Sequence, residues 1–383
     1  MLTARQVVLI PTAEQEKVFR QYADTARFAY NFAKKISDTY FAYTGESLTL
    51  NDLQKTFTVI KQTKAYGWLK DVNAQVPKLA ARDYDKARKA SFKNKGHSFG
   101  TNFKSKRKTA PKFRVEQFSF FKCDKKEINI TSIGKVRTSR RLPRTKKLRN
   151  LRIQFNGVNW VMSYSFEHEV DRPSELSEKV IGIDDGLSSL VTCSNGMEFD
   201  SVRFSDKYKR HEKLKTQYAR QMSKRYQKHN QKGKPQSKRY VKAKDAHARH
   251  SKKMSDMRST YNHQVSRAIL NTMPKAVVVE DKSLKFMIKN PKQAKAVMSQ
   301  GINQLMRFLE YKAESQGTIF QKAPRGFASS KICHCCGYKY NDMDYEIPWG
   351  LAVREWVCVG CGAVHDRDFN AAKNLEYCFK EVI

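Results

Sequence analysis

The chain has 383 residues, which predicts two or three domains, and its hydrophobic fraction of 40% is sufficient to build their cores. Its 74 Lys and Arg outnumber 37 Asp and Glu and give a formal net charge of +37 at pH 7. Such a field favours a polyanion as partner, because each neutralised phosphate releases a condensed counterion, and it argues against a small-molecule substrate.

The first hundred residues predict a strand followed by a helical region. Residues 2–10 (LTARQVVLI) have the apolar character of a strand. Thr12 and Gln15 form the T-x-x-Q pattern of a capping box, which opens a helix. Apolar side chains then recur at helical spacing, and helical character continues to about residue 95 with breaks at Gly45 and Gly67.

From about residue 114 the apolar period changes to two. The segments near 115–121, 127–131, 151–156 and 159–166 predict strands that are separated by basic, Gly- and Asn-containing turns. Because residues 2–10 are also predicted to form a strand, the helical region is interpreted as an insert in an antiparallel β domain.

The second half of the chain alternates apolar strands with helices. In chain order the predicted elements are strands at 180–186, 190–193 and 197–203, a basic helical pair broken at 233–235, a strand at 276–281, a helix at 298–316, a strand at 317–322, a cysteine-rich insert at 329–364 and a last helix at 368–379. This order predicts an α/β domain.

The positive charge is concentrated in two stretches. Residues 86–150 contain 22 Lys and Arg against three acids, and residues 203–253 contain 19 against three. Both stretches carry aromatic residues, which can stack on bases while the cations hold phosphates. They predict one nucleic-acid channel if the fold brings them together; two solvated faces are the alternative.

Three acids stand out by their positions. Asp184 and Glu280 each end a strongly apolar strand, and Asp368 begins the last helix. If the two strands are neighbours, the three carboxylates converge. Such a cluster suits two Mg²⁺ ions, which prefer oxygen ligands, and two metals support phosphodiester hydrolysis.

Four cysteines have the spacing of a zinc site. Cys333-x-x-Cys336 and Cys358-x-x-Cys361 are separated by 21 residues. Four thiolates predict one structural Zn²⁺ with no open coordination position. Cys335 is an alternative ligand to Cys336. The remaining cysteines, Cys123, Cys193 and Cys378, are expected to be packed free thiols.

The N-terminal residues lack the pattern of a signal peptide, and no run of 18 apolar residues occurs. We therefore expect no membrane span and a location in the bacterial cytoplasm, associated with the nucleoid.

Several motifs together resemble those of the TnpB family, the insertion-sequence-encoded, RNA-guided DNA nucleases related to type V CRISPR effectors. The motifs are GIDDG (182–186), VVVED (277–281) and DRDFNAA (366–372), the last preceded by the two cysteine pairs. RFAYN (27–31) resembles the N-terminal helix of the family, and FKSKR (103–107) its basic linker. The resemblance extends along nearly the whole chain.

The resemblance implies a fold, a set of catalytic residues and partners. The fold would be an OB-like β-barrel, or wedge, domain (1–10 and 110–172) with a helical recognition insert (11–109), and a ribonuclease-H-like RuvC nuclease domain (173–328 and 365–383) with an inserted zinc ribbon (329–364). The catalytic acids would be Asp184, Glu280 and Asp368, which hold two Mg²⁺ or Mn²⁺ ions. Asp185 departs from the family pattern. The partners would be a transposon-derived omega RNA as guide and double-stranded target DNA beside a short flanking motif.

Two other functions remain open at this point. A guide-independent RuvC-type resolvase or transposase would use the same acids without an RNA. A non-cleaving, RNA-guided DNA-binding repressor would lack one or more of the acids, whereas this chain has all three.

Overall fold

The computed structural model describes residues 2–93, 102–106, 109–116, 118–119, 126–143, 148–167, 175–186, 189–229, 236–282, 291–345, 349–350 and 353–379. The chain divides into two compact units, Met1–Glu169 and Val170–Ile383.

The first unit contains a seven-stranded antiparallel sheet with the strand order β2-β6-β7-β1-β5-β4-β3. The first strand of the chain lies in the middle of this sheet, between β7 and β5. The predicted return of the chain to the β domain after the helices is therefore confirmed. The strands are β1 (Leu2–Ile10), β2 (Lys112–Arg114), β3 (Phe118–Ser119), β4 (Glu127–Ile130), β5 (Gly134–Thr138), β6 (Arg149–Phe155) and β7 (Trp160–Glu167).

Helices α1 (Ala13–Thr44), α2 (Leu50–Ile60) and α3 (Gln75–Lys93) follow β1, with a 3-10 helix at Lys64–Asp71. The predicted capping box is present: the Gln15 amide donates to Thr12 Oγ1 at 3.2 Å, and the Thr12 amide donates to Gln15 Oε1 at 3.1 Å. The N-terminal and C-terminal parts of α1 enter different cores. Phe19 packs against Trp160 in the core of the sheet, with ring centroids 5.1 Å apart. About three turns further along the helix, Tyr30 belongs to a second core that α1 forms with α2 and α3.

The second unit contains a five-stranded sheet with the order β10-β9-β8-β11-β12. Strands β8, β11 and β12 are parallel, and β9 and β10 continue from β8 as an antiparallel meander. The strands are β8 (Ser177–Asp184), β9 (Ser189–Cys193), β10 (Glu198–Asp200), β11 (Pro274–Val279) and β12 (Ile319–Lys322), and the helices are α4 (Asp206–His229), α5 (Lys238–Leu270), α6 (Pro291–Gln300), α7 (Ile302–Gln316) and α8 (Arg367–Tyr377).

The cysteine-rich segment has a small core of its own. The hairpin of β13 (Glu355–Val357) and β14 (Val364–Asp366) packs with the segment around Cys333. Aromatic rings fill this core; Tyr340 and Tyr345 stack with centroids 3.7 Å apart, and Trp356 packs edge-on at 5.6 Å from Tyr340.

Some predicted elements were wrong in detail. Strand β5 was missed, because its alternation is short and only Val136 and Thr138 are buried. The predicted helix at 298–316 is two helices, since Gly301 adopts a left-handed backbone with φ of 73°. The strand predicted at 197–203 ends at Asp200 and continues as a 3-10 helix. The predicted break at 233–235 and Cys123 lie outside the described residues.

Within the described part of the chain, no helix combines the length and the apolarity needed to cross a membrane.

Candidate active site and zinc centre

Asp184 and Glu280 lie side by side at the carboxyl edge of the second sheet. β8 and β11 are parallel neighbours, and Ile183 pairs with Val279, so the next residue of each strand is an acid. The buried, apolar strands fix this register because a shift by one residue would turn their side chains to the wrong face. Ligand sites of open α/β sheets lie at this edge.

Helix α8 brings Asp368 to the same edge. It lies directly against β8 at Gly182, where an added Cβ would be 1.9 Å from the carbonyl oxygen of Ala372. Asp366 caps the helix by accepting a hydrogen bond of 2.7 Å from the Phe369 amide. Asp368 is therefore in the first turn, and a Cβ at Gly186 would lie 3.8 Å from its Oδ2. The structure thus brings together the three acids that the sequence singled out.

The electrostatics of this edge are those of a crowded acidic site. Burial raises the pKa of Asp184 to about 8; the nearby Lys282 opposes this shift, while Asp185, Asp368 and Glu280 add to it. Because burial and the neighbouring carboxylates both disfavour the charged form of Asp184, a cation bound at this edge would stabilise that form.

Lys282 supplies one positive charge to the cluster. Its Nζ lies 3.1 Å from Glu280 Oε2 and 3.3 Å from Asp185 Oδ2, and it donates to the Asp185 carbonyl at 2.8 Å. Burial lowers the pKa of Lys282, but Asp185, Asp184 and Glu280 outweigh it and raise the pKa above its ordinary value. On the other side, Arg354 forms an ion pair of 3.3 Å with Asp368. Neither cation was predicted from the sequence, although Lys282 follows the VVVED motif directly.

Asp184 and Asp185 have different surroundings. Asp184 is partly exposed, and the charges of Asp368 and Glu280 both reach it. Asp185 is 7% exposed and faces Lys282 and Glu280. Its Oδ2 is buried, and Lys282 Nζ is its ion-pair partner at 3.3 Å. The geometry therefore favours Asp184 as the acid shared by the whole cluster and Asp185 as the partner of Lys282.

The residues at this edge fit hard cations. Four carboxylates at one sheet edge are the donor set that Mg²⁺ or Mn²⁺ prefers. The carboxylates are nevertheless not tightly clustered. Among the described residues, each group of three or more potential metal ligands whose atoms all lie within 4.8 Å of one another consists of cysteine and histidine, and none contains these acids. Mutual repulsion of the carboxylates, together with the ion pairs to Lys282 and Arg354, accounts for this spacing.

The four predicted cysteines form one cluster. Cys333, Cys336, Cys358 and Cys361 bring their sulfurs within 4.8 Å of one another. The two pairs are built alike: the Gly337 amide donates to the Cys333 carbonyl at 2.9 Å, and the Gly362 amide donates to the Cys358 carbonyl at 2.7 Å. Both glycines have a left-handed backbone, which closes each turn. The cluster fits a structural zinc ion.

His365 was missed by the sequence analysis. It is 2% exposed on β14, and its Nε2 lies 3.0 Å from Cys333 Sγ. With the exposed Cys335 it forms a second group of potential ligands that shares Cys333. The only signal in the sequence is the position of His365 four residues after Cys361.

Of the cysteines that were predicted to be packed free thiols, Cys193 is buried and Cys378 is partly buried.

Two asparagines of α8 connect the cysteine cluster to the acids. Asn370 Nδ2 donates to the Ile332 carbonyl at 2.7 Å and Oδ1 accepts from the His334 amide at 3.0 Å. Asn374 Nδ2 donates to the Ser329 and Ile332 carbonyls at 2.7 and 2.6 Å. The DRDFNAA motif therefore places an acid at the sheet edge and fastens the helix that carries it to the first cysteine turn.

The aromatic residues of the basic stretches differ in role. Phe113 and Tyr208 are core residues, and the Tyr208 hydroxyl accepts a hydrogen bond of 2.9 Å from Arg258. These two rings are therefore not available to stack on bases. Phe92 and Phe103 are exposed, at 57% and 58%. Phe99 and Phe120 lie outside the described residues.

Three family models match the chain. They are described as "Helix-turn-helix domain" of the IS605 OrfB proteins over residues 1–45, "Probable transposase" of the same proteins over residues 163–290, and "Cas12f1-like, TNB domain" over residues 303–375. Despite the first description, residues 2–45 form β1, α1 and its C-terminal cap.

Curated relatives match over nearly the whole chain. A Streptomyces pristinaespiralis protein named "Putative RNA-guided DNA endonuclease" is 28% identical over 95% of this chain and 86% of its own length. An Escherichia coli K12 protein named "Putative RNA-guided DNA endonuclease InsQ" is 23% identical over 98% and 91%.

Among solved structures, a Cas12f1 chain in complex with single-guide RNA and target DNA superposes with a TM-score of 0.60. It covers 98% of both chains at 12% identity, and the two chains share a fold. The family models, the relatives and the order of the motifs agree with one another. The resemblance to the TnpB family that the motifs predicted is thus confirmed: the chain is similar to the OrfB proteins of IS605-type insertion sequences.

Proposed function

We propose that this protein is an RNA-guided DNA endonuclease of an insertion sequence. The observation that carries the proposal is the convergence of Asp184, Glu280 and Asp368 at one sheet edge of a strongly basic chain. The names of its relatives and its fold, which it shares with Cas12f1, support the same function.

In this proposal Asp184, Glu280 and Asp368 hold two Mg²⁺ ions, with Mn²⁺ as a substitute. Bound there, the metals would activate a water molecule and stabilise the leaving oxygen of a phosphodiester. The chain's own contribution is positional. Parallel strands β8 and β11 fix two of the acids, Gly182 lets α8 carry the third against them, and Lys282 neutralises part of the charge of Asp185 and Glu280.

We assign the first unit to an OB-like wedge domain (1–10 and 110–172) with a recognition insert (11–109). The second unit is assigned to a RuvC-like nuclease domain (173–328 and 365–383) with a zinc ribbon (329–364). The seven-stranded sheet with its helical insertion supports the first assignment. The mixed five-stranded sheet with acids at its carboxyl edge supports the second.

The partners follow from the mechanism. An omega RNA made by the same insertion sequence would pair with one DNA strand, so base pairing would read the target, and the protein would read a short flanking motif. Cutting takes place at one site, in the bacterial nucleoid where this DNA lies.

A cleavage assay with and without RNA tests the proposal. Protein stripped by ribonuclease should not cut, and protein reconstituted with its copurifying RNA should cut DNA that matches the guide, in Mg²⁺ and not in EDTA. Undiminished sequence-specific cutting by stripped protein would show a guide-independent resolvase. Guided binding without cutting in Mg²⁺ would show a repressor.

A further inference from the structure

A cavity of about 100 Å³ in the first unit is lined by cationic side chains from α1, from the basic stretch 86–150 and from β6. It lies between α1, α3, the segment 102–106 and the paired strands β2 and β6, and seven cations and two carboxylates line it. The cationic excess is local, because all these groups face one small opening.

The two carboxylates are already engaged. Asp24 pairs with Arg27 at 3.3 Å and with Lys106 at 2.8 Å. Asp83 pairs with Arg114 at 3.0 Å. Three further cations of the cavity have no carboxylate within 4.0 Å among the described residues: Lys104, Lys112 and Arg152.

The strands aim two of these cations into the cavity. Lys112 and Arg114 flank the buried Phe113, so they share the opposite face of β2. Across the ladder, Arg114 pairs in register with Arg152 of β6. Like charges that lie directly opposite each other repel, and an anion between them relieves the repulsion.

Lys104 reaches the cavity from a fixed backbone. The side chain of Asn31 binds both backbone groups of Lys104: Asn31 Nδ2 donates to the Lys104 carbonyl at 2.9 Å, and the Lys104 amide donates to Asn31 Oδ1 at 2.8 Å. Its Nζ lies 2.9 Å from the centre of the Tyr30 ring. Burial and the charges of Lys112 and Arg152 lower the pKa of Lys104 to about 8, against the opposing effect of Asp83. The cavity is thus built around a positive charge that lacks its counter-ion.

We propose that this cavity binds one phosphodiester group of a nucleic acid, with Lys104, Lys112 and Arg152 as its ligands. Its volume corresponds to a few water molecules, which suits a phosphate and is too small for a nucleoside. Three converging donors give short, charge-assisted hydrogen bonds to phosphate oxygens. The proposal rests on the proposed function, since that function supplies two sources of this group, the guide RNA and the target DNA.

Binding measurements on a double variant test the site and distinguish the two sources. Lys112→Gln with Arg152→Gln removes two ligands from exposed or half-exposed strand positions. Its control is Lys126→Gln with Arg137→Gln, which removes the same charge from exposed positions on the β4–β5 side of the sheet. Fluorescence anisotropy would follow the copurifying RNA on RNA-free protein and duplex target DNA on RNA-loaded protein, each over a range of KCl concentrations.

We expect one of the two affinities to fall about tenfold with a salt slope reduced by about two, and the control to stay within about twofold of wild type. A loss in the RNA arm assigns the cavity to the guide, and a loss in the DNA arm to the target. Equal behaviour of variant and control in both arms overturns the proposal.

Lysine footprinting of the wild-type protein gives a test that depends on neither folding of the variant nor cleavage. Acetylation by an N-hydroxysuccinimide ester, read by peptide mass spectrometry, should modify Lys104 in the free protein and be suppressed at least fivefold in one of the two complexes. Unchanged modification of Lys104 in both complexes refutes the site. Protection in a complex that cuts no DNA would instead refute the endonuclease and leave the cavity assigned.

Discussion

The two neighbouring aspartates at the sheet edge differ in their surroundings, although their side chains are chemically identical. The charges of all the other carboxylates of the cluster raise the pKa of Asp184, whereas Asp185 is buried beside Lys282. A carboxyl group binds a metal after it has lost its proton to solvent, and Asp184, which is partly exposed, is more accessible to a metal than Asp185, which is 7% exposed.

We therefore expect Asp184→Ala, Glu280→Ala and Asp368→Ala each to lower single-turnover cleavage by roughly 10³-fold or more, since each removes a metal ligand. RNA and DNA binding, measured by anisotropy, should stay within about twofold. Glu178→Ala is the matched control, because Glu178 is an exposed acid on the same strand that pairs with Lys275. An Asp184→Ala protein that still cuts, beside an inactive Asp185→Ala protein, would show that the first ligand is Asp185.

Cys335 and Cys336 compete for one role in the zinc centre. The backbone turn that ends in Gly337 places Cys336 with Cys358, and their sulfurs are 3.6 Å apart. Cys335 is exposed and belongs with His365 to the second group of ligands around Cys333.

We expect Cys335→Ser to retain about one zinc per chain and Cys336→Ser to lose it, measured by elemental analysis of purified protein. Cobalt substitution gives a second reading, because the intensity of the sulfur-to-metal charge-transfer band reports the number of thiolates. A four-thiolate cobalt spectrum that survives Cys336→Ser and disappears in Cys335→Ser would contradict the assignment and would make Cys335 the ligand.

At the scale of elements, the contact between α8 and β8 holds Asp368 near the acids of the sheet edge. Gly182 accepts the helix backbone so closely that a methyl group would collide with Ala372 and with the Glu376 amide. Backbone atoms cannot rotate away from such a collision as the end of a side chain can.

Gly182→Ala should therefore push α8 off the sheet, lower the free energy of unfolding by about 3 kcal/mol and lower cleavage at least tenfold, because Asp368 would move away from Asp184. Thermal unfolding and cleavage at a temperature where the variant remains folded measure the two effects. Gly196→Ala is a comparison without such contacts: it lies in an exposed turn with nothing within 4 Å of an added Cβ, although its positive φ carries a cost of its own. Cleavage at the wild-type rate by the folded Gly182→Ala protein would contradict this account.

At the scale of the whole molecule, the basic helix α4 carries a row of positive charges along one face. Lys209, Lys213, Arg220 and Lys224 follow one another at helical spacing along one face and line one open groove of the second unit. A row of cations of this kind contacts phosphates and not base edges.

Replacing these four residues by Gln should lower the slope of RNA or target-DNA affinity against salt by about one unit for each lost phosphate contact. The sequence of the DNA that is cut should not change, since base pairing selects it. The control exchanges Lys and Arg at the same four positions and keeps the charge. A changed target sequence in the Gln variant would show that α4 reads bases.

The sequence by itself determined the chemistry of this protein: a basic chain, three acids at the ends of apolar segments and four cysteines in two close pairs. These features are local, because strand ends, capping boxes and C-x-x-C turns are set by neighbouring residues. The domain boundaries and the roles of the three acids stay predictions.

Only the tertiary structure decided which groups meet. The Arg354 pair with Asp368, the placement of His365 beside Cys333 and the cavity around Lys104 each join segments that are far apart in the chain or in different elements. Even Lys282, two residues after Glu280, has its role fixed by Asp185, which follows strand β8. Strand order and helix packing bring these groups together. The apolar periodicity of one strand or helix shows which of its faces is buried, but not which residues of other elements lie beside it.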